Sequence, residues 1–267
     1  MVISGMNQTV LIIIAGWLII VALWGCSKKD AAADDEKLPF DRIESVKHLP
    51  GFGDSDELPE GRPFELPKGL HLVNRPDYPF NPDISKLKGI ANTFYVDIHI
   101  ATDSTWTGGE IVFPEGLVVL NVAPSRIQNG MLMDREPITA PPHNSSSGGD
   151  TITIYLGVAC MNAGKGMPWA DNFGSDDRYY PISKGTHKPY VVTTNTEVLK
   201  FLSLLKGKEH LKLTRHYNPW ERMKEDYEEP EWLKPYSEIQ DKFWKLTDGD
   251  GLNREDLQEL LKAIQPR

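Results

Sequence analysis

The sequence predicts an α+β protein, in which a mainly antiparallel β-sandwich or barrel-like domain is followed by C-terminal helices. Short β-prone segments separated by turn residues occupy residues 92–193, and this spacing is typical of sandwiches and barrels. From residue 194 onwards, apolar residues recur every three or four positions, which indicates amphipathic helices. Strands and helices do not alternate along the chain, which argues against a Rossmann or TIM-barrel architecture.

The clearest strand covers residues 94–100, where apolar residues occupy every second position. The other face of this strand carries Tyr95, Asp97 and His99, and we expect these side chains to be solvated. Asn129–Gly130 favours a hairpin turn within a further β-prone segment. The remaining predicted strands are residues 110–114, 117–122, 126–134, 151–158 and 189–193.

Three helices are predicted from their caps and their apolar stripes. Thr194 and Glu197 have the spacing of a capping box, in which each side chain bonds the backbone N–H of the other residue. Ser237 and Gln240 have the same spacing and are expected to open a second helix. Asn253 is expected to cap the last helix. The apolar stripes are Val198, Phe201, Leu202 and Leu205, then Ile239, Phe243 and Trp244, then Leu257, Leu260, Leu261 and Ile264.

The N-terminal segment has the features of an export signal. Residues 1–27 carry no charged side chain, and residues 10–24 form an apolar core near the upper length for a signal peptide. The segment ends in Leu-Trp-Gly-Cys, with Cys26 last, and this motif resembles the lipobox of bacterial lipoproteins. The resemblance implies that Cys26 is lipidated as the first residue of the mature protein. The alternative is an uncleaved membrane anchor, whose C-terminal side Lys28 and Lys29 would draw towards the cytoplasm.

Three regions follow from this interpretation. Residues 1–25 are the signal peptide, residues 26–91 are the lipidated cysteine with a flexible acidic tether and a Pro/Gly-rich arm, and residues 92–267 are the sandwich-like domain with its helices. The acidic cluster after Cys26 resembles the export signal of surface-exposed lipoproteins in the Bacteroidetes, and an ordinary solvated linker is the alternative. We therefore expect an extracytoplasmic protein, held at the outer membrane or cell surface by acyl chains.

The composition limits the partners of the chain. A net charge of −9 makes a polyanion such as nucleic acid an unsuitable partner. The only cysteines are Cys26 and Cys160, so acylation of Cys26 leaves no pair for an intramolecular disulfide. The sequence contains no G-x-S-x-G motif, no phosphate-binding loop and no histidine pair at ligand spacing. We therefore expect neither a cofactor nor a bound metal.

One pair of residues indicates covalent chemistry. Cys160 ends a predicted strand, and Gln240 lies in the segment Ile-Gln-Asp-Lys-Phe-Trp. The pair resembles the thioester domains of bacterial surface adhesins, where a strand cysteine and the glutamine of a [VIL]-Q-x-A-[IV]-W motif crosslink with loss of ammonia. Lys242 and Phe243 depart from that motif, whereas Ile239, Gln240 and Trp244 match it. The alternative is that Cys160 is a small buried apolar residue and Gln240 is part of a helix cap.

Two other segments carry residue types that occur in binding sites. Residues 161–188 form a long connection that carries Trp169, Tyr179 and Tyr180, and aromatic rings beside polar groups suit sugar or peptide ligands. The alternative is that these rings cover the domain's own core. Residues 248–251 (Asp-Gly-Asp-Gly) suggest a calcium loop, but leucine stands at the first and last ligand positions. We therefore predict a turn between two helices there.

The sequence as a whole predicts a lipid-anchored protein with a binding or adhesion role at the cell surface, without catalytic turnover. Its ligand is expected to be a surface glycan or a protein. One alternative is a thioester adhesin that captures its partner covalently through Cys160 and Gln240. Another alternative is a hydrolase whose site the sequence does not reveal.

Overall fold

A computed structural model describes residues 38–74, 84–122, 126–144, 151–167, 186–217, 221–222 and 224–266. Phe40–Arg267 form one compact unit. The compact unit therefore begins well before Asn92, where the globular domain was predicted to start. The predicted signal peptide, residues 1–25, lies outside the described residues, as do Cys26, Trp169, Tyr179 and Tyr180.

The strands lie before the helices in the chain. The strands are β1 (Arg62–Pro63), β2 (Leu70–Leu72), β3 (Leu87–Lys88), β4 (Phe94–Thr102), β5 (Gly109–Phe113), β6 (Leu117–Asn121), β7 (Gly130–Met131), β8 (Glu136–Ala140), β9 (Thr151–Cys160) and β10 (His187–Val192). The helices are α1 (Thr196–Leu205), α2 (Lys234–Thr247) and α3 (Arg254–Ala263), with short 3-10 helices at Ile84–Lys86 and Glu209–Leu211.

The main sheet is curled and has eight strands, in the order β1-β10-β6-β7-β9-β4-β2, with β3 also paired to β9. Every pair in it is antiparallel except β3 with β9. Strands β5 and β8 form a separate antiparallel pair. The prediction of an α+β protein with a mainly antiparallel sheet and helices near the C-terminus is therefore confirmed.

The apolar face of β4 forms the centre of the core, as its alternation predicts. Phe94, Val96, Ile98 and Ile100 pack in one cluster with the inward side chains of β9. The same cluster contains residues from both sheets, so the β5–β8 pair shares the core of the main sheet. The members from β5 and β8 are Ile111, Phe113, Ile138 and Ala140.

The opposite face of β4 is buried as well. Tyr95 belongs to a second cluster that includes Leu213 and Leu233, from the segment that follows α1. Asp97 and His99 continue this face and are only 3 % and 4 % exposed, so the expectation that they are solvated is wrong. Their burial is tolerated because His99 Nε2 lies 3.1 Å from Asp97 Oδ2, which satisfies polar atoms that water would otherwise bond.

The Asn129–Gly130 pair does not form the predicted hairpin turn. Gly130 lies within β7, opposite Cys160 of β9. A Cβ atom at Gly130 would lie 2.5 Å from a Val158 methyl and 2.8 Å from the ring of Phe94. Glycine is therefore required here by close packing rather than by a turn conformation.

The helix starts follow local capping chemistry. Asn253 caps α3 in a capping box with Asp256, which confirms that prediction. The cap of α1 is Asn195, one residue beyond the predicted Thr194. Helix α2 begins at Lys234, with a proline in its first turn, so Ser237 lies inside the helix and the predicted box with Gln240 is wrong.

The N-terminal part of the compact unit is joined to its C-terminal helices. The backbone N–H of Ile43 donates to the carbonyl of Leu252 at 3.0 Å, and the N–H of Leu252 donates to the carbonyl of Ile43 at 2.8 Å. The N–H of Val46 donates to the carbonyl of Leu246 at the end of α2. None of the helices in the described part of the chain combines the length and apolar character needed to cross a membrane.

Candidate functional site

The end of β9 is where the two residues of the thioester prediction meet. Cys160 and Gln240 are far apart in the chain, yet two hydrogen bonds join them directly. The Cys160 backbone N–H donates to Gln240 Oε1 at 2.8 Å, and Gln240 Nε2 donates to the Cys160 carbonyl at 3.1 Å. The side-chain carboxamide of Gln240 thus bonds the backbone of Cys160 as a neighbouring strand would.

The local strand pairing explains this contact. Cys160 faces Gly130 of β7 on one side, and Met161 donates to Asn129 on that same side. On its other side, β9 pairs with β4. Strand β4 begins at Phe94, opposite Val158, and therefore does not extend as far as Cys160. Gln240 takes the place of the absent strand and satisfies two buried backbone groups.

The carbonyl of Gln240 receives a second donor. Thr93 Oγ1 donates to Gln240 Oε1, which also accepts from the N–H of Cys160. Two donors on one carbonyl oxygen draw electron density from its carbon, as donors in an oxyanion hole do during acyl transfer. The arrangement therefore holds the Gln240 carboxamide against the backbone of Cys160 and polarises its acyl carbon.

The thiol of Cys160 is held in a less reactive state. The residue is fully buried, and this burial raises the pKa of the Cys160 thiol well above its usual value, with a further increase from the Asp248 carboxylate. Its sulfur lies 3.8 Å from the sulfur of Met167. A buried neutral thiol resists oxidation and external electrophiles, so its chemistry would be confined to groups already inside the fold.

A cavity of about 710 Å³ lies beside this contact. Such a volume is within the range of roughly 300–1,000 Å³ that is usual for small-molecule sites. One wall is a face of α2, whose residues at three- and four-residue spacing point to the same side. Leu233, which precedes α2, lines the cavity. The α2 residues that line it are Tyr236, Ser237, Gln240, Asp241 and Trp244. Other lining residues are Asn92, Thr93, Met167, Tyr217, Arg222, Tyr227 and Glu229.

A polar network covers one side of the cavity. The guanidinium of Arg222 lies 3.2 Å from Glu229 Oε1 and donates to Ser237 Oγ at 3.0 Å. Ser237 Oγ in turn donates to Glu229 Oε1. The hydroxyl of Tyr217 donates to that of Tyr227 at 3.1 Å. Because Arg222, Glu229 and Ser237 are bonded to one another, this side of the cavity offers donors and acceptors in fixed positions.

Two buried donors beside Gln240 have no acceptor. Asn92 Nδ2 and Trp244 Nε1 are inaccessible to solvent, and neither has a hydrogen-bond partner among the described residues. Both residues line the cavity. An unsatisfied buried donor costs about 1–3 kcal/mol, so these two nitrogens, enclosed in the protein behind the cavity wall, lower the stability of this region.

The remaining predicted site residues have structural partners. Asp248 Oδ1 accepts from the N–H of Ala163 at 3.0 Å, and Asp250 Oδ1 lies 2.8 Å from Lys47 Nζ. Both aspartates lie in the turn between α2 and α3, as predicted. Within the described ranges, no group of three or more His, Cys, Asp or Glu side chains is arranged to hold a metal ion. Asp97 and His99 do not line the cavity.

Most of the cavity residues were not identified from the sequence. Arg222, Glu229 and Tyr227 lie in a charged segment before α2 that has no recognisable motif. Ser237 and Trp244 could have been found, because they lie three residues before and four residues after Gln240 and so share its helix face. No signal in the sequence points to Asn92.

No protein-family model, no curated protein and no solved structure matches this chain.

Proposed function

We propose that this chain is a lipid-anchored, extracytoplasmic protein that binds a ligand at the cell surface in the cavity lined by α2 beside Gln240. The observation that carries the proposal is the cavity itself, with its aromatic wall and its fixed polar network. Rigid aromatic side chains supply contact area at little conformational cost, and the network supplies orientation. The lipobox-like sequence ending in Cys26 supports the anchored location.

The proposal is tested on cells that express the full chain, with immobilised oligosaccharides and extracellular-matrix proteins as probes. We expect wild-type cells to bind at least one probe. Ser237→Trp places a large side chain in the cavity and should abolish binding while the protein stays on the membrane. Cys26→Ser should release the protein from the membrane and prevent incorporation of labelled fatty acid.

A matched control is Ser203→Trp, because Ser203 is exposed on α1 and does not line the cavity. This variant should bind like the wild type. Equal binding by wild type and Ser237→Trp would contradict the cavity as the ligand site. Equal fatty-acid labelling of wild type and Cys26→Ser would contradict the anchor.

The contact between Gln240 and Cys160 favours a second candidate, a thioester adhesin. In that reaction the Cys160 sulfur attacks the Gln240 acyl carbon, an S–C bond forms, the C–N bond breaks and the nitrogen leaves as ammonia with the thiol proton. The donors Thr93 and Cys160 N–H would stabilise the oxyanion that develops on Gln240 Oε1. The raised pKa of the thiol opposes the first step.

Intact mass spectrometry of the purified domain tests the thioester. Condensation is expected to lower the mass by one ammonia, and the loss should be absent in Cys160→Ala. In Thr93→Val, which keeps the side-chain shape and removes the hydroxyl donor, condensation should be slower. An unchanged mass, together with complete alkylation of Cys160 after unfolding, would rule out the thioester without affecting non-covalent binding in the cavity.

A further inference from the structure

The cavity is lined by one carboxylate that has no partner among the described residues. The charged side chains in its lining are those of Arg222, Glu229 and Asp241. Arg222 and Glu229 are bonded to each other at 3.2 Å. Asp241 takes part in no hydrogen bond or ion pair within the described part of the chain. The lining therefore carries more negative than positive charge, which favours a cationic ligand.

A ligand in the cavity can reach Asp241. This residue is exposed to solvent, and it lies four residues after Ser237 and three before Trp244 on α2. Both of these cavity residues are therefore its neighbours on the helix surface, with Cβ atoms about 5–6 Å away. Ser237 Oγ is bonded to Arg222 and Glu229, so Asp241 lies beside the polar network of the cavity.

The electrostatic surroundings of Asp241 favour a positive charge beside it. Partial burial raises the pKa of the Asp241 carboxyl, and the carboxylates of Glu238 and Glu229 raise it further. Arg222 and Lys242 act in the opposite direction without outweighing these causes. A cation placed against Asp241 would offset both the lost hydration and the repulsion between carboxylates.

The aromatic residues of the cavity offer ring surfaces rather than free polar groups. The Tyr236 hydroxyl donates to the Leu211 carbonyl at 3.0 Å, and the Tyr217 hydroxyl donates to that of Tyr227. The indole N–H of Trp244 is inaccessible, although the residue is partly exposed, so its accessible surface lies elsewhere on the residue. Aromatic ring faces attract cations through their quadrupole.

These rings suit a cation that has no N–H groups. The Arg222 guanidinium lies 5.5 Å from the centre of the Tyr217 ring, so one ring of this wall already faces a positive charge. A primary ammonium would bring three donors that need acceptors, yet Glu229 Oε1 already accepts from Arg222 and Ser237. A trimethylammonium group has no donors, and its methyl groups pack against aromatic rings.

Resting on the proposed function, in which the cavity binds a surface ligand, we propose that this ligand carries a trimethylammonium group, as choline does. The positive charge lies beside Asp241, and the methyl groups pack against the rings of Tyr227 and Trp244. Free choline and phosphocholine displayed on a larger molecule share this group.

Isothermal titration calorimetry with the full chain in a non-ionic detergent tests this assignment. The probes are choline, its neutral analogue in which a carbon atom replaces the nitrogen, and ethanolamine, which keeps the charge without the methyl groups. We expect choline to bind about tenfold or more tightly than either of the others. Binding of phosphocholine as well as choline would identify a displayed group, and binding of choline alone a free small molecule; either result supports the assignment.

Variants on α2 identify the charge contact. Asp241→Asn keeps the side-chain shape and should weaken choline binding about fivefold or more, while the neutral analogue is unaffected. Glu238→Gln is the matched control, because it also removes one negative charge from α2, whereas Glu238 does not line the cavity and lies 3.3 Å from Lys242. Its effect should stay within about twofold.

A pair of substitutions at Tyr227 identifies the ring contact. Tyr227→Leu removes the ring, and Tyr227→Phe removes only the hydroxyl group. The leucine variant should bind choline about threefold or more weakly than the phenylalanine variant, because only the latter keeps the cation–π contact. Circular dichroism and the unfolding midpoint verify that each variant is folded.

The outcomes separate this inference from the proposal on which it rests. Equal binding of choline and its neutral analogue, abolished by Ser237→Trp, would overturn the trimethylammonium assignment and leave the cavity as the ligand site. Equal binding of ethanolamine and choline, or choline binding that Asp241→Asn leaves unchanged, would also overturn the assignment. If no probe binds, the assignment is overturned, and the cell-binding experiment still tests the cavity.

Discussion

Replacing Gln240 by alanine is expected to lower the free energy of unfolding by about 2–5 kcal/mol. The variant removes the carboxamide that bonds two buried backbone groups of Cys160, the N–H and the C=O. Each unsatisfied buried group costs about 1–3 kcal/mol, and the lost packing of the side chain adds to this. Urea unfolding of the purified domain measures the change.

Gln258→Ala is the matched control, because Gln258 is exposed on α3. Its effect should stay within about 0.5 kcal/mol, as expected for a surface substitution. A loss of less than about 1 kcal/mol for Gln240→Ala would mean that water or another side chain replaces the carboxamide, and that Gln240 does not complete the sheet.

Acidification from pH 7 to pH 4 is expected to destabilise the protein by about 3 kcal/mol through His187 alone. Burial lowers the pKa of His187 from 6.5 to about 4, although its bond to the Gln128 carbonyl and the nearby Asp97 act in the opposite direction. Between these two values the unfolded chain binds a proton that the folded chain does not bind. Stability is therefore complete above about pH 6.5 and falls as the pH decreases towards 4.

The hydrogen bonds of His187 agree with a neutral ring. Nε2 lies 2.7 Å from the carbonyl oxygen of Gln128, which can only accept, so Nε2 carries the proton. The Thr186 hydroxyl lies 3.0 Å from Nδ1 and can donate to it. A second proton on the ring would put a positive charge in the core beside the ring of Phe94.

His187→Gln isolates this effect, because glutamine can still donate to the Gln128 carbonyl but does not titrate. Urea unfolding at several pH values should show that stability falls less steeply in this variant, by about 3 kcal/mol between pH 7 and 4. His71→Gln serves as the control, because the His71 side chain is about half exposed. Parallel pH profiles of wild type and His187→Gln would contradict the prediction.

Much of the sheet could be predicted from the sequence, because one face of its long strands is uniformly apolar. The alternation at residues 94–100 predicted β4, and a β-prone run predicted most of β9. Strand β8 was missed because it contains Pro137 and its buried positions include Glu136. Burial of both faces could not be predicted either, since the segment that covers Tyr95 lies far along the chain and has no strong pattern of its own.

The candidate site could be predicted only in part. The resemblance to thioester domains led to the pair Cys160 and Gln240, and the structure brings the two residues together. The manner of their contact could not be predicted, because it depends on where β4 begins relative to the end of β9. The unsatisfied donors of Asn92 and Trp244 could not be predicted either, since sequence patterns do not indicate which buried polar atoms lack a hydrogen-bond partner.

If the chain is anchored through Cys26 as proposed, the pairing of Ile43 with Leu252 has a mechanical consequence. Tension applied at Phe40 reaches the two backbone hydrogen bonds of this pair, and then the bond from Val46 to Leu246, before it reaches β1. Leu246 lies at the end of the helix that forms the cavity wall. Under the proposed function, a force that pulls a bound ligand away from the anchor would therefore be carried by α2, the helix that both lines the cavity and bonds the N-terminal segment.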